Sequence, residues 1–275
     1  MNKGICFYFG FASNPEDRVK KIKQAGFDCV ITNADKKFDD QNGTIAKQVK
    51  LFKKYGLKLS SLHARYDCNV VEFWEEGKLG EKYKHSIVKD IKIAKKYGFT
   101  CVVVHLSGKP SEIGFKRFEF VLKNAEKYKV PIAVENLKNT QLLKQIFKRY
   151  NSEYLKMCYD SGHNNVYTPN FDFLENYKDK IICLHLHDNL GAKAKKTDLK
   201  PLQLKRRVLD LHTLNKYGNI NWNEQAKKLS KVPFEINLDY EVMMHAHKGE
   251  TEEEVLSEVY KQACQLEQKI ENYRQ

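Results

Sequence analysis

No stretch of this chain carries the roughly 18 consecutive apolar residues that a bilayer-spanning helix needs, so no membrane partner is expected. The opening residues, MNKGICFYFGF, lack the apolar h-region and small-residue cleavage site of a secretory signal, and run straight into a strand pattern. Cysteine occurs seven times, an odd number, and never as a CxxC pair. Most of the seven (Cys6, Cys29, Cys68, Cys101, Cys158, Cys183 and Cys264) fall in strand-like segments, where a thiol behaves as a small hydrophobe. Reduced core thiols in a cytoplasmic protein are therefore expected. Also missing is any linker, low-complexity stretch or break in composition. Residues 1–275 are accordingly read as a single domain, a length that one α/β barrel commonly occupies.

The two signs of charge are far from balanced, and the formal net charge at pH 7 is +13. A basic surface attracts anions, nucleic acid among them. Here KKIK, KQVKLFKKYG and KYKHSIVKDIKIAKKYG spread the lysines over many helices instead of one stripe, which favours plain solvation of helix faces.

What the chain does have is one supersecondary unit, repeated. Apolar, β-branched runs (GICFYFGF, FDCVIT, LSSLHA, TCVVVHL, VPIAVENL, LKMCYDSG, IICLHLHD and PFEINLDYE) alternate with helical patterns. The spacing predicts helices over 14–25, 41–55, 79–97, 111–128, 139–150, 170–179, 222–230 and 251–272. Gly26, Gly56 and Gly98 follow three of them, as a glycine just past a helix C-terminus should. Strict strand–helix alternation predicts a parallel sheet with helices outside, and eight units close naturally into a (β/α)8 TIM barrel. A doubly wound open sheet would ordinarily show a glycine-rich phosphate fingerprint after the first strand, and GFASNP is not one. In the last helix Val255, Val259, Ala263, Leu266 and Ile270 recur at helical spacing and should pack on the barrel's outer layer.

Six of the nine histidines, namely His63, His105, His163, His185, His187 and His212, lie at strand ends or in the loops just beyond them. Carboxylates keep them company: Glu135 ends IAVENL, Asp160 opens DSGH and Glu241 closes INLDYE. Any one of these alone would be an ordinary hydrogen-bonded side chain or a helix N-cap. Barrel closure, however, brings strand C-termini into one mouth. So many buried imidazoles and carboxylates are costly there unless divalent cations satisfy them, so a metal site is expected.

These segments resemble the xylose isomerase-like TIM barrels, a superfamily that includes sugar isomerases and epimerases and endonuclease IV. SLHARY is similar to the family's SLHAPY-type third strand, VVVHLSG to its VVHPG fourth and IAVENL to its IAIEN fifth. CYDSGH resembles DTGH, and HLHDN with the later DLH and GNINW resembles HLHDN…DxH…GxGxIDW. The resemblance covers nearly the whole chain. It implies a core metal held by Glu135, Asp160, His185 and Glu241, with Glu235 at the wrong end of its strand to serve. The endonuclease-like branch adds ligands matched here by His63, His105, His163, Asp210 and His212. One to three divalent ions per chain would follow, Zn or Mn first, with Fe and Co also compatible.

Two chemistries share this set. With one ion, Glu135 and Glu241 flank the reacting carbon as catalytic acid and base, giving isomerase or epimerase chemistry on a small sugar or sugar phosphate. With two or three ions roughly 3.5–4 Å apart, the cluster would instead support phosphodiester hydrolysis at abasic sites in DNA. Ligand count and net charge favour hydrolysis. ENLKNT without the nuclease's AGxG, HLHDN in place of HLNDSK, and a short first loop favour the sugar reading, which is the leading expectation. A sugar-binding or regulatory module is a third reading that the complete ligand set disfavours.

Substrate contacts are expected from Tyr66 and Lys216; Arg65, which replaces the family's proline, is expected to bind a substrate anion or to pair with a nearby acid, and Trp74 to be a loop aromatic or a wall of the substrate pocket. His187 is expected to orient a ligand or the substrate from behind the metal ligands. The stretch GAKAKKTDLKPLQLKRRV, between HLHDN and DLH, is longer than the family's crossing and basic. It reads either as a solvated loop or as a lid whose cations meet an anionic substrate.

Overall fold

The computed structural model describes residues 1–8, 10–36, 39–65, 70–193, 209–233, 235–244, 247 and 249–275. Its strands are β1 (Lys3–Cys6), β2 (Cys29–Asn33), β3 (Lys58–His63), β4 (Cys101–Val104), β5 (Ile132–Glu135), β6 (Leu155–Asp160), β7 (Ile181–His185) and β8 (Leu238–Tyr240). Each pairs in parallel with its successor from β1 to β7, and β8 returns beside β1. The last seam closes just past β7, where the Leu186 amide donates to Asp239 O at 2.8 Å and the Glu241 amide donates to Leu186 O at 2.9 Å. The result is the (β/α)8 TIM barrel that strict alternation predicts.

Between the strands run α1 (Pro15–Gln24), α2 (Asp39–Asn42), α3 (Ile45–Lys54), α4 (Lys78–Tyr97), α5 (Glu112–Tyr128), α6 (Thr140–Arg149), α7 (Ser161–Tyr167), α8 (Phe173–Tyr177), α9 (Trp222–Leu229) and α10 (Glu252–Arg274). Local signals start them. Asn14, Ser111, Asn139 and Asn221 each accept an amide of the first turn with their side chains, and Thr251 with Glu254 forms a reciprocal capping box. At the other end of α4, Gly98 takes φ 89°, a left-handed stop that its lack of a Cβ makes cheap. The five apolar residues singled out in α10 are all buried.

Two expected helices differ from the structure. The one over 41–55 begins at Ile45, behind the short α2. The one over 170–179 shrinks to α8, because an unexpected helix, α7, starts directly at the end of β6. There the Asp160 carboxylate caps the His163 amide at 2.6 Å, so the chain turns helical without an intervening loop.

Two buried arginines act as internal fasteners. Arg18 donates to the carbonyls of Phe7, Phe11 and Ser13, which pins the segment after β1. Arg117 donates to the carbonyls of Glu72, Phe73 and Gly77, which pins the single turn Glu72–Trp74 against α5. Cys6, Cys29, Cys101, Cys158, Cys183 and Cys264 are unbridged, and the first five are buried, as expected of core thiols. Cys68 lies outside the described residues, as do residues 194–208, most of the basic stretch. Among the described residues, no helix is long and apolar enough to cross a membrane.

Candidate metal centre at the barrel mouth

Strand period and strand length together deliver the ligands. His63, Glu135, Asp160 and His185 are the final residues of β3, β5, β6 and β7; His105 and Glu241 directly follow β4 and β8. Their side chains point to the barrel axis and converge. His63 Nε2 lies 3.2 Å from His105 Nε2, and the two reach Glu135 Oε2 at 3.5 and 3.0 Å. On the other side of Glu135, Oε1 is 3.0 Å from His163 Nδ1, which the first turn of α7 presents. His185 Nδ1 sits 3.4 Å from both Glu135 Oε2 and Glu241 Oε1. Asp210 Oδ2 completes the rim, 3.1 Å from His163 Nε2 and 3.3 Å from His212 Nε2.

Backbone carbonyls fix two of the tautomers. A carbonyl can only accept, so Nδ1 of His63 donates to Ala64 O (2.8 Å) and Nδ1 of His212 donates to Glu241 O (2.9 Å). In the neutral ring each Nε2 then keeps its lone pair toward the centre, the arrangement that metal-binding imidazoles use. Other partners stiffen the carboxylates. Tyr8 donates to Glu241 Oε1 at 2.7 Å, and Asn136 brackets Asp160 by exchanging hydrogen bonds with its backbone.

Several polar atoms at this mouth are buried and not satisfied by one another. Both ring nitrogens of His185, Nδ1 of His163 and His187, and Oδ1 of Asp210 are sealed from solvent without a hydrogen bond of acceptable geometry. Burial opposes charge on every group, yet their mutual arrangement overrides it. His163 and His185 are held well above the ordinary imidazole range by the carboxylates around them, and His212 is pushed up to about 9, chiefly by Asp210. Glu135, Asp160 and Asp210 are held below the usual carboxylate range by their imidazole neighbours. For His105 burial wins, and its pKa falls. Carboxylates that stay ionised in a dry pocket, and imidazoles that charge only to answer them, fit divalent cations, which would take over the protons' role. At the mouth, four groupings have their ligand atoms within 4.8 Å of one another: His63–His105–Glu135, Asp160–His185–Glu241, His163–Asp210–His212 and Glu135–Asp160–His163.

All nine expected ligand positions therefore meet at one place. The expected substrate contacts fare differently. His187 does not line the opening: fully buried, it sets Nε2 3.1 Å from Asp160 Oδ1 and stacks on His212 at 3.8 Å. Arg65 spends its guanidinium on Asp90, with Nε and Nη2 at 3.0 and 2.7 Å from one carboxylate oxygen, instead of meeting an anion. Burial pushes the Asp90 carboxyl up to about 7 even so. Trp74 is a packing residue, edge-on to Phe115 and so close to α5 that a Cβ on Gly114 would fall 2.1 Å from its ring. Lys216 pairs with Glu250 at 2.6 Å. Tyr66 lies outside the described residues.

Sequence reasoning missed Tyr8, although it shares the inward parity of Gly4 and Cys6 on β1, the one signal that marks it. It also missed Asp188. That carboxylate gathers the amides of Asn189, Asn219 and Ile220 and the indole of Trp222, anchoring the GNINW turn beside the mouth. Gly218 makes the approach possible, since a Cβ there would lie 1.9 Å from Asp188 Oδ1.

Fold and side-chain geometry together define a TIM barrel with a candidate metal centre at the C-terminal ends of its strands. A family model described as "Xylose isomerase-like TIM barrel" matches residues 19–261, and the chain belongs to that family. An uncharacterised protein of Sinorhizobium fredii, y4fM, is 30% identical over 137 residues. That match takes in 47% of this chain and only 39% of the relative. Among solved structures, a D-tagatose 3-epimerase-like protein superposes with a TM-score of 0.74 at 19% identity, covering 99% of both chains. An L-ribulose 3-epimerase gives 0.72 at 14% identity, over 99% of this chain and 95% of that one. A D-psicose 3-epimerase from Clostridium cellulolyticum H10, solved with D-tagatose, gives 0.67 at 12% identity over all of both chains. At these identities the likeness is one of fold.

Proposed function

We propose that this protein is a divalent-metal-dependent isomerase or epimerase of a small sugar or sugar phosphate, with Zn or Mn as the ion. The observation that carries the reading is the placement of Glu135 and Glu241. They come from opposite parts of the barrel wall, β5 and the end of β8, yet each lies 3.4 Å from the same nitrogen of His185. Glu135, Asp160, His185 and Glu241 would hold the ion. When bound, it would polarise a carbonyl and fix two neighbouring substrate oxygens.

The chain's own residues do the rest. With substrate between them, one of the two glutamates takes the proton from the carbon next to the carbonyl, and the other returns a proton to the opposite face. Tyr8, donating to Glu241 Oε1, holds that carboxylate in one orientation and leaves Oε2 free for transfer. His163 and His105 do the same for the two oxygens of Glu135. The names borne by the structural relatives point to ketoses epimerised at C3 as the first substrates to try.

A second reading has its own observation. His163–Asp210–His212 and His63–His105–Glu135 are complete groupings beyond what one ion needs. They suit a two- or three-ion phosphodiesterase acting at abasic sites in DNA. Metal content per chain by inductively coupled plasma mass spectrometry, followed by a ketose panel and abasic-site DNA, separates the readings. One ion and ketose turnover supports the first; two or three ions and strand cleavage supports the second. No bound metal after reconstitution overturns both. His212→Ala sharpens the result, since it should cripple the hydrolase and only weaken the isomerase.

A further inference from the structure

Below the mouth, the barrel interior holds sulfur. Cys101 on β4, Cys158 on β6 and Cys183 on β7 are all buried, and at this level their interior neighbours are the small side chains Val103 and Ala133. Cys158 and Cys183 are register partners on adjacent strands, directly beneath the Asp160–His185 pair. All three thiols belong to one buried cluster. The sulfurs of Cys158 and Cys183 and a nitrogen of His185 all lie within 4.8 Å of one another.

That limit admits metal coordination. A tetrahedral d10 ion with bonds of about 2.3 Å to sulfur and about 2.0 Å to nitrogen sets its ligand atoms roughly 3.5–3.8 Å apart. Among the described residues the other contacts of these thiols are long: Cys183 Sγ lies 4.0 Å from Leu184 O, and the Thr100 hydroxyl lies 3.9 Å from Cys101 Sγ. His185 keeps both ring nitrogens without a hydrogen bond.

We propose that Cys158 and Cys183, with the His185 imidazole and beside Cys101 of the same buried cluster, form a thiophilic metal subsite beneath the mouth that takes a soft d10 cation. Two sulfurs and one nitrogen select Cu+, Zn2+ or Cd2+ over Mn2+ or Mg2+, because soft donors prefer polarisable ions, whereas the carboxylate-rich mouth takes harder ones. The imidazole is shared: the ring that completes the subsite also faces Glu135 and Glu241, so a soft cation below competes for a ligand of the centre above.

The test is a Cd2+ titration of the full-length, reduced, chelator-stripped protein, followed by the ultraviolet sulfur-to-cadmium charge-transfer band. The expected result is a band that saturates at one equivalent per chain, persists with Mn2+ present in excess, and is lost in Cys183→Ala. Cys264→Ala, on α10 outside the barrel, should leave it unchanged. A titration in which Cd2+ binds without the band, or a full band in Cys183→Ala, overturns the proposal. Cadmium-edge X-ray absorption on the unsubstituted protein guards against a misfolded variant: two or three sulfur neighbours support the subsite, and a shell of only nitrogen and oxygen refutes it.

Discussion

Glu241 and Asp239 stand two residues apart at the end of the barrel's last strand, both inward-facing and both buried, but their surroundings differ in kind. Asp239 is met by neutral donors from the wall. Ser60 donates to its Oδ2 at 2.5 Å, Cys29 approaches its Oδ1 at 3.5 Å, and Asn237 in turn donates to the Ser60 hydroxyl at 2.9 Å. Burial pushes this carboxyl up to about 7. Glu241, at the level above, faces the imidazoles of His185 and His212 and the hydroxyl of Tyr8, and neither nitrogen of His185 has a hydrogen bond. Around Asp239 the fold answers the buried oxygens from within the chain. Around Glu241 it leaves buried nitrogens for something that arrives from outside. Buried polarity alone thus does not mark a site; buried polarity that the fold leaves unanswered does.

The comparison can be broken most severely at Glu135. Glu135→Gln should lower turnover by roughly 10²–10⁴-fold, the usual worth of a positioned acid or base, and should strip metal from the mouth. A chelator should lower the Tm of the wild type and leave the variant's unchanged, because only the wild type gains stability from the ion. Metal retained in Glu135→Gln would remove this residue from the ligand set. The level beneath should respond in the opposite sense. Ser60→Ala takes the donor from a buried carboxylate and should cost about 1–3 kcal/mol in denaturant unfolding, with metal content unchanged. Tyr8→Phe is a finer probe of the mouth. Losing one hydrogen bond to Glu241 should cost about tenfold in kcat, with KM and metal content little altered.

The smallest effect lies outside both levels, at Glu252, where α10 meets α1 and the loop before it through Lys21 (2.7 Å) and the Ser13 amide (3.0 Å). Burial opposes its charge, but these partners hold its carboxyl down at about 2. A depressed carboxyl contributes stability that is present above its ordinary pKa and lost as pH falls toward its folded-state value. Glu252→Gln should therefore destabilise at neutral pH by less than about 1 kcal/mol, given its partial exposure, with the difference fading between about pH 4.5 and 2. A gap that widened on acidification would contradict the Lys21 and Ser13 contacts.

Much of this architecture is legible in the residues. Period-two apolar runs and glycine stops at Gly26, Gly56 and Gly98 announce strand and helix. The ligands His63, Glu135, Asp160 and His185 are legible because a strand's last inward residue must face the mouth once the barrel closes. What stays illegible is pairwise. Arg65 replaces a proline beside a ligand and looks like an anion binder; only the packing of α4 places Asp90 against it. Trp74 follows His63 closely in the chain, yet the absence of a side chain on Gly114, on a different helix, draws it into the outer layer. Lys216 finds Glu250 across a turn that no local pattern foretells.

By itself, then, the sequence determined which residues face inward and at which strand end, because side-chain parity and turn chemistry are local. Tertiary structure alone decided which of those inward groups find donors and which stay unanswered. Asp239 meets Ser60 from 179 positions away, and Glu241 meets Tyr8 from 233 away. Hydrogen bonds across a closed barrel depend on strand stagger and register to within an ångström, and no local pattern carries that information.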